Sequence, residues 1–198
     1  MRRFLISIEK QGKTRGKKTK RGDAVVGGAR QYQRAREFLL WLDVDGGCVA
    51  SDAQHPPFAD AVQLLKRVCA VADVAVCSDS GVVAAKLRWA QWKLPRPNGI
   101  FSTGTAGKAA CLTRLIACGY QPAHVLAVGV TQASLAAAQQ CGALYYPILT
   151  GRQAASWQRL TEEGLYKLLH GSFAGDYQRQ LLAAQHSLWL VAQTDARP

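Results

Sequence analysis

Residues 38–52 read FLLWLDVDGGCVASD. Five apolar residues, Phe38 to Leu42, run straight into Asp43 and Asp45, and the chain then breaks on Gly46 and Gly47. A run this short reads as a buried strand rather than a helix. A strand in mid-sheet delivers its last side chain rigidly to the sheet's edge, and side chains two apart project to one side while the chain stays extended. Two carboxylates held that close repel each other, so one is protonated or a cation sits between them. Oxygen-only ligands suit a hard cation such as magnesium. The glycine pair lets the backbone turn away and a ligand come near. On this stretch alone, a polar strand end leading into a turn is the other open reading.

Working outward, strands and helices alternate. PFADAVQLLKRVCAVA places Phe58, Val62, Leu65 and Cys69 at helical spacing, with Pro57 suited to a helix start. DVAVCSDSG is a second strand ending in small polar residues. VVAAKLRWAQWKL is helical until Pro95. GIFSTG is a short strand, GKAACLTRLIACGY a helix with Gly119 as its C-terminal cap, and HVLAVGV another strand. QASLAAAQQCG closes a helix on Gly142, and ALYYPIL is the last strand, which Pro147 assigns to a sheet edge. The alternation predicts a three-layer αβα, Rossmann-like α/β fold with a parallel central sheet of about five strands. Residues 152–191 are expected to be helical, with Tyr177, Leu181, Ala184, Leu188 and Val191 forming a docking stripe. In such a sheet ligands bind beyond the carboxyl ends of the strands. Here those ends carry Asp43 and Asp45, then Ser78, Asp79 and Ser80, then the Ser102–Lys108 loop, then Gly129 to Thr131.

The charge is unevenly spread. The chain has 198 residues and a net charge of +12, but residues 1–36 hold 12 Lys and Arg against only Glu9 and Asp23. The basicity belongs to a leader, residues 1–36, that is too polar to offset its chain entropy and reads as disordered. Three readings stay open for it: a solvated tail, a weak nucleic-acid or acidic-surface binder, or a start site placed too early. The α/β core is expected over 37–150 and a helical extension packed on it over 151–198. The apolar run near Met1 is too short for a signal peptide, and no run of 18 apolar residues exists, so no membrane span is expected. The six cysteines form no CxxC and read as reduced thiols of a cytoplasmic protein. Cys48 alone, just after the Asp pair, has a claim to exposure.

The order of parts LLWLDVDGG, VAVCSDS, AGKAACLTRLI and HVLAVGVTQAS resembles the haloacid dehalogenase-like (HAD) superfamily of phosphatases over about residues 37–150. The family's first motif is Asp-x-Asp-Gly-Thr after an apolar strand, matched by Asp43-Val44-Asp45-Gly46-Gly47 with Gly47 in place of Thr. The resemblance implies that Asp43 is the nucleophile taking the phosphoryl group and Asp45 the acid/base. Ser78 stands for the second motif, a hydrogen-bond donor to the phosphoryl group, and Lys108 for the third, which stabilises its charge. It also implies the strand order 5-4-1-2-3 and a Mg2+ cofactor held by Asp43 and the backbone carbonyl of Asp45. The fourth motif, Gly-Asp-x-x-x-Asp, is broken: Val130 and Ser134 stand where the acids belong. Asp79, on the next strand end, is a candidate replacement ligand.

The family's lids lie after the first motif and between the second and third. Only 32 residues separate Asp45 from Ser78, and 29 separate Ser78 from Lys108, which leaves no room for a sizeable lid. In the family that goes with macromolecular substrates or with oligomers.

Other motifs carry less. GTAGKA fails as a phosphate loop, because its glycine spacing is wrong and Ala109 stands where Ser or Thr would be. KLRWAQWK interleaves Lys86, Arg88 and Lys93 with Trp89 and Trp92, which could grip single-stranded nucleic acid but more simply packs two tryptophans beside Ala85. His55, His124, His170 and His186 show no metal-ligand spacing. The expectation is therefore a Mg2+-dependent phosphatase acting on a phosphorylated substrate. Its rival is an inactive descendant that keeps the fold as a binding or scaffolding module, with residues 1–36 touching nucleic acid.

Overall fold

The computed structural model describes residues 32–52 and 54–195. Five strands form one sheet: β1 (Phe38–Asp43), β2 (Ala72–Ser78), β3 (Gly99–Ser102), β4 (Val125–Gly129) and β5 (Leu144–Pro147). Every neighbouring pair is parallel, and the order is β3-β2-β1-β4-β5, as expected. β1 is central, paired with β2 from Phe38↔Ala72 to Asp43↔Cys77 and with β4 from Leu39↔Val125 to Leu42↔Val128. β5 is an edge strand, so Pro147 there forfeits no ladder bond on its outer side.

Among the described residues, seven α-helices flank the sheet. They are α1 (Ala59–Val71), α2 (Val82–Gln91), α3 (Gly107–Ile116), α4 (Gln132–Gln140), α5 (Gln153–Arg159), α6 (Leu165–Leu169) and α7 (Asp176–Asp195). The two-residue side-chain period of a strand sorts the core into two layers. Leu40, Leu42, Val74, Val76, Leu126 and Val128 share one layer with Leu64, Leu65 and Val68 of α1, and with Trp157 and Leu181 from the C-terminal helices. Leu39, Trp41, Ala75, Cys77, Val125 and Ala127 share the other with Cys111, Leu112 and Leu115 of α3 and Ala138 of α4. β2 is buried along its whole length, as a parallel strand covered on both faces must be.

The C-terminal helices dock on the body, but on a shifted stripe. Leu181 is buried and Val191 is 57% exposed. The inward position one turn beyond Leu181 is Gln185, whose side-chain amide donates to the Val130 carbonyl (3.1 Å) and to the Tyr145 hydroxyl (3.2 Å). A polar residue thus takes the place that an apolar pattern assigns to Ala184. Between α5 and α6, residues Leu160–Gly164 form a π-helical turn, a local widening that the helical pattern alone does not reveal.

Residues 32–36 lie against the body. Tyr32 packs edge-on against Phe101, and the backbone N–H groups of Ala35 and Arg36 donate to Asp73 (2.8 and 2.9 Å). Asp73 is fully buried and also accepts from Asn98 and Tyr120, so this charge is held by hydrogen bonds at the sheet's amino-terminal edge. The rest of the basic leader lies outside the described residues. Among those residues no helix is long and apolar enough to cross a membrane.

Candidate active site

The carboxyl edge of the sheet gathers the expected residues. Asp43 ends β1, Ser78 ends β2 with Asp79 just beyond, and Lys108 is the second residue of α3. Lys108 Nζ lies 2.9 Å from Asp43 Oδ1 and 2.8 Å from Asp43 Oδ2. It is also 3.1 Å from Asp45 Oδ2 and 3.0 Å from Asp79 Oδ2. One ammonium therefore holds three carboxylates. Ser78 Oγ donates to Asp45 Oδ1 (3.0 Å), and the Asp79 N–H donates to Asp45 Oδ2 (2.7 Å). Thr103 donates to Asp79 Oδ1 (2.6 Å). Asp43 and Asp45 face the same way, and the Asp45 N–H reaches Asp43 Oδ1 at 3.2 Å.

Two glycines make room for this. Gly46 sits at φ +70°, and a Cβ there would come within 3.2 Å of Thr131 on the α4 side. Gly129 ends β4, where a Cβ would fall 2.7 Å from Ser134 Cβ and 3.4 Å from Asp43 Cβ. Only a missing side chain at 129 lets the first turn of α4 approach β1 this closely. As a result Ser134, fully buried, donates its hydroxyl to Asp43 Oδ2 and exchanges a second hydrogen bond with Thr131. The sequence marks Ser134 only as a lost acid; in the structure it is a direct partner of Asp43. Val130, the other position where the resemblance expects an acid, is buried in the apolar layer.

Burial dominates the electrostatics. Asp43 is fully buried, and desolvation pushes its carboxyl above the usual range, with Asp45 adding to the rise; the Lys108 contacts and the Ser134 hydrogen bond oppose it. Desolvation pulls Lys108 down, but Asp43, Asp79 and Asp45 outweigh it and hold the ammonium well above an ordinary lysine. Burial acts upward on Asp79 as well, yet the Thr103 and Lys108 hydrogen bonds leave it below the usual carboxylate range. Cys48 does not fit the expectation of exposure. It is fully buried, desolvation pushes its thiol well up, and it shares an apolar layer with Trp157, whose indole N–H donates to the Cys48 carbonyl at 2.8 Å. A thiol in that state is inert.

The donor chemistry decides whether a cation suits the site. Three carboxylates against one ammonium leave two negative charges in excess, all on oxygen, which matches a hard divalent ion such as Mg2+. The fixed geometry supplies less. Among the described residues no group of three or more His, Cys, Asp or Glu is arranged to hold a metal, and the three aspartates of the site all contact Lys108. The fit is therefore one of charge, with one anchoring carboxylate fewer than the fourth motif would give.

Two clefts open onto this cluster. One, of about 500 Å³, is lined by Asp79, Thr103, Lys108 and the small residues of α3 and α4. The other, of about 250 Å³, lies on the far side of Asp45. No lid domain stands over either among the described residues. Set against known proteins, the chain matches no family model and no curated protein.

Proposed function

We propose that the protein is a phosphoric monoester hydrolase that works through an aspartyl-phosphate on Asp43, with Mg2+ as its cation. The observation that carries this reading is the placement of Lys108 Nζ against both Asp43 and Asp45, with Ser78 fixing Asp45 from the other side. The resemblance of the chain's order of parts to the haloacid dehalogenase-like superfamily supports the same roles.

As the substrate draws Lys108 off Asp45, that carboxylate takes up a proton; Asp43 Oδ attacks phosphorus while the bond from phosphorus to the leaving oxygen breaks, and Asp45 delivers the proton to that oxygen. Asp45, now ionised, takes a proton from water; the water oxygen attacks phosphorus, inorganic phosphate leaves, and Asp43 is regenerated. Lys108 donates to the phosphoryl oxygens as charge develops, and Ser78 joins it by turning its single O–H from Asp45 to the phosphoryl group. In the state described, Asp43 is covered by Lys108 and Ser134, so an incoming phosphate draws the Lys108 ammonium partly off the carboxylates. Mg2+, held by the carboxylates of Asp43 and Asp79 and the Asp45 backbone carbonyl, would supply neutralisation of the charge excess that otherwise repels a phosphate dianion. The open, lidless site suits an exposed phosphate ester, including one on a macromolecule. Six free thiols suit a reducing compartment such as the cytoplasm.

A generic ester, p-nitrophenyl phosphate, tests the reading. Wild type hydrolyses it with Mg2+, and Asp43→Asn falls to the buffer rate. Equal rates for the two proteins would refute it.

One observation favours a second reading. Ser134 and the Lys108 ammonium satisfy Asp43 without a metal ion, and the Val130 side chain offers none a ligand. This is the arrangement expected of a descendant that has kept the fold and given up the chemistry, binding nucleic acid through residues 1–36. Absence of hydrolysis, together with salt-sensitive RNA binding lost on deleting residues 1–30, would select it.

A further inference from the structure

The smaller cleft beside Asp45 carries an unused cation. It is lined by Asp45, Gly46, Gly47 and Asp52 from the loop after β1, by Ser80 before α2, and by Arg88 and Trp92 from the end of α2. Its place follows from the fold: the chain leaves β1 on one side of Asp45, and α2, which starts just past Ser78, brings Arg88 back towards it. Trp92 is pinned there by its indole N–H, which donates to the His55 carbonyl at 3.2 Å, and the Arg88 guanidinium lies 5.9 Å from the centre of the Trp92 ring.

Both acids of this cleft are already engaged. Asp52 accepts from the backbone N–H groups of Gln54 and His55 (2.7 and 3.0 Å) and contacts the His55 ring at 2.7 Å. Asp45 has Ser78 on one oxygen and Asp79 N–H and Lys108 on the other. Arg88, by contrast, makes no ion pair with any described residue, and its guanidinium donates no hydrogen bond to one. Arg88 is half-buried, and its guanidinium, steadied against an indole and without a hydrogen-bond partner among the described residues, matches the two oxygens of a carboxylate or phosphate.

The geometry points to a substrate class: a phosphate monoester whose leaving alcohol carries a second anionic group, carboxylate or phosphate, held by Arg88. This rests on the phosphatase reading above. In that reaction the leaving oxygen receives its proton from Asp45, so the leaving alcohol must lie on the Asp45 side, where this cleft is. A charge-assisted fork of this kind contributes about a 10- to 100-fold preference over a matched neutral group.

Matched pairs of esters test it. 3-Phosphoglycerate and glycerol 3-phosphate differ by a carboxylate, and fructose 1,6-bisphosphate and fructose 6-phosphate by a phosphate. Wild type should prefer the member with the anionic tail in at least one pair by about 10-fold or more in kcat/KM. Arg88→Ala should bring that ratio close to one, and Arg88→Lys should keep part of it, since the charge remains and the fork is lost. Two outcomes overturn the inference: wild type with no preference in either pair, or Arg88→Ala that keeps it. Should no ester be hydrolysed, the phosphatase reading fails by itself, and calorimetric binding of the same four compounds decides about Arg88. Weaker binding of a doubly anionic member by Arg88→Ala than by wild type upholds the anion site; equal binding rejects it.

Discussion

Replacing Lys108 by methionine isolates the electrostatic core of the site. Methionine keeps much of the stem's volume, so the change removes chiefly the ammonium. Asp43, with no exposed surface, then loses both of its Lys108 contacts and keeps the Ser134 hydroxyl. Breaking a buried pair in this way costs roughly 3–5 kcal/mol. Proton uptake sets a ceiling. Asp43 in the variant can fold as the neutral acid, and holding a carboxyl protonated at pH 7, about three units above its ordinary range, costs roughly 4 kcal/mol. The sign follows from that proton. The folded variant binds it and the unfolded chain does not, so the variant loses stability relative to wild type as pH rises, by about 1.4 kcal/mol per unit, and recovers it as pH falls towards 4. Urea titrations of both proteins at pH 5, 6 and 7 measure this directly. A loss under about 1 kcal/mol at pH 7, or one independent of pH, would refute the account of Lys108 as the counter-ion of a buried carboxylate.

Three further outcomes follow from the same geometry. Ser134→Asp places a second carboxylate against Asp43, so thermal stability should fall in chelator and recover with Mg2+ by more than wild type does; a shift equal to that of wild type counts against a cation site there. Because burial raises the Asp43 carboxyl and Ser134 lowers it, the acid limb of kcat/KM should lie above the ordinary carboxylate range and move further up in Ser134→Ala, and a downward move would contradict this. Gly129→Ala sets a methyl 2.7 Å from Ser134 Cβ, an overlap that should cost about 1–3 kcal/mol by chemical denaturation; a neutral change would show that α4 is free to back away from β1.

Much of this architecture is legible in the sequence because strand and helix periods leave separate signatures. The apolar run ending at Asp43 has to be a central strand, Pro147 has to be at an edge, and the polar residues at the strand ends therefore fall on one rim. What sequence periodicity cannot supply is contact between segments far apart in the chain. The Ser134–Asp43 hydrogen bond depends on how closely α4 approaches β1, which Gly129 permits but no local pattern encodes. Cys48 is buried in a layer it shares with Trp157, more than a hundred residues later, which donates to its carbonyl. No local pattern around Asp73 names the partners at Ala35, Asn98 and Tyr120 that the fold brings to it. Gln185 breaks an apolar stripe for a tertiary reason, the Val130 carbonyl. Arg88 reads as part of a solvated helix face, and only the path of the loop after β1 turns that face into a cleft wall.

The central claim is the covalent step on Asp43, and trapping it is the direct measurement. Enzyme turning over p-nitrophenyl phosphate with Mg2+ is quenched in acid and reduced with borohydride, which converts an aspartyl-phosphate to homoserine, and the peptide spanning residue 43 is read by mass spectrometry. The account predicts homoserine at position 43 that needs substrate and is missing in Asp43→Asn. Turnover with an unmodified Asp43, or with the modification on another residue, would contradict it.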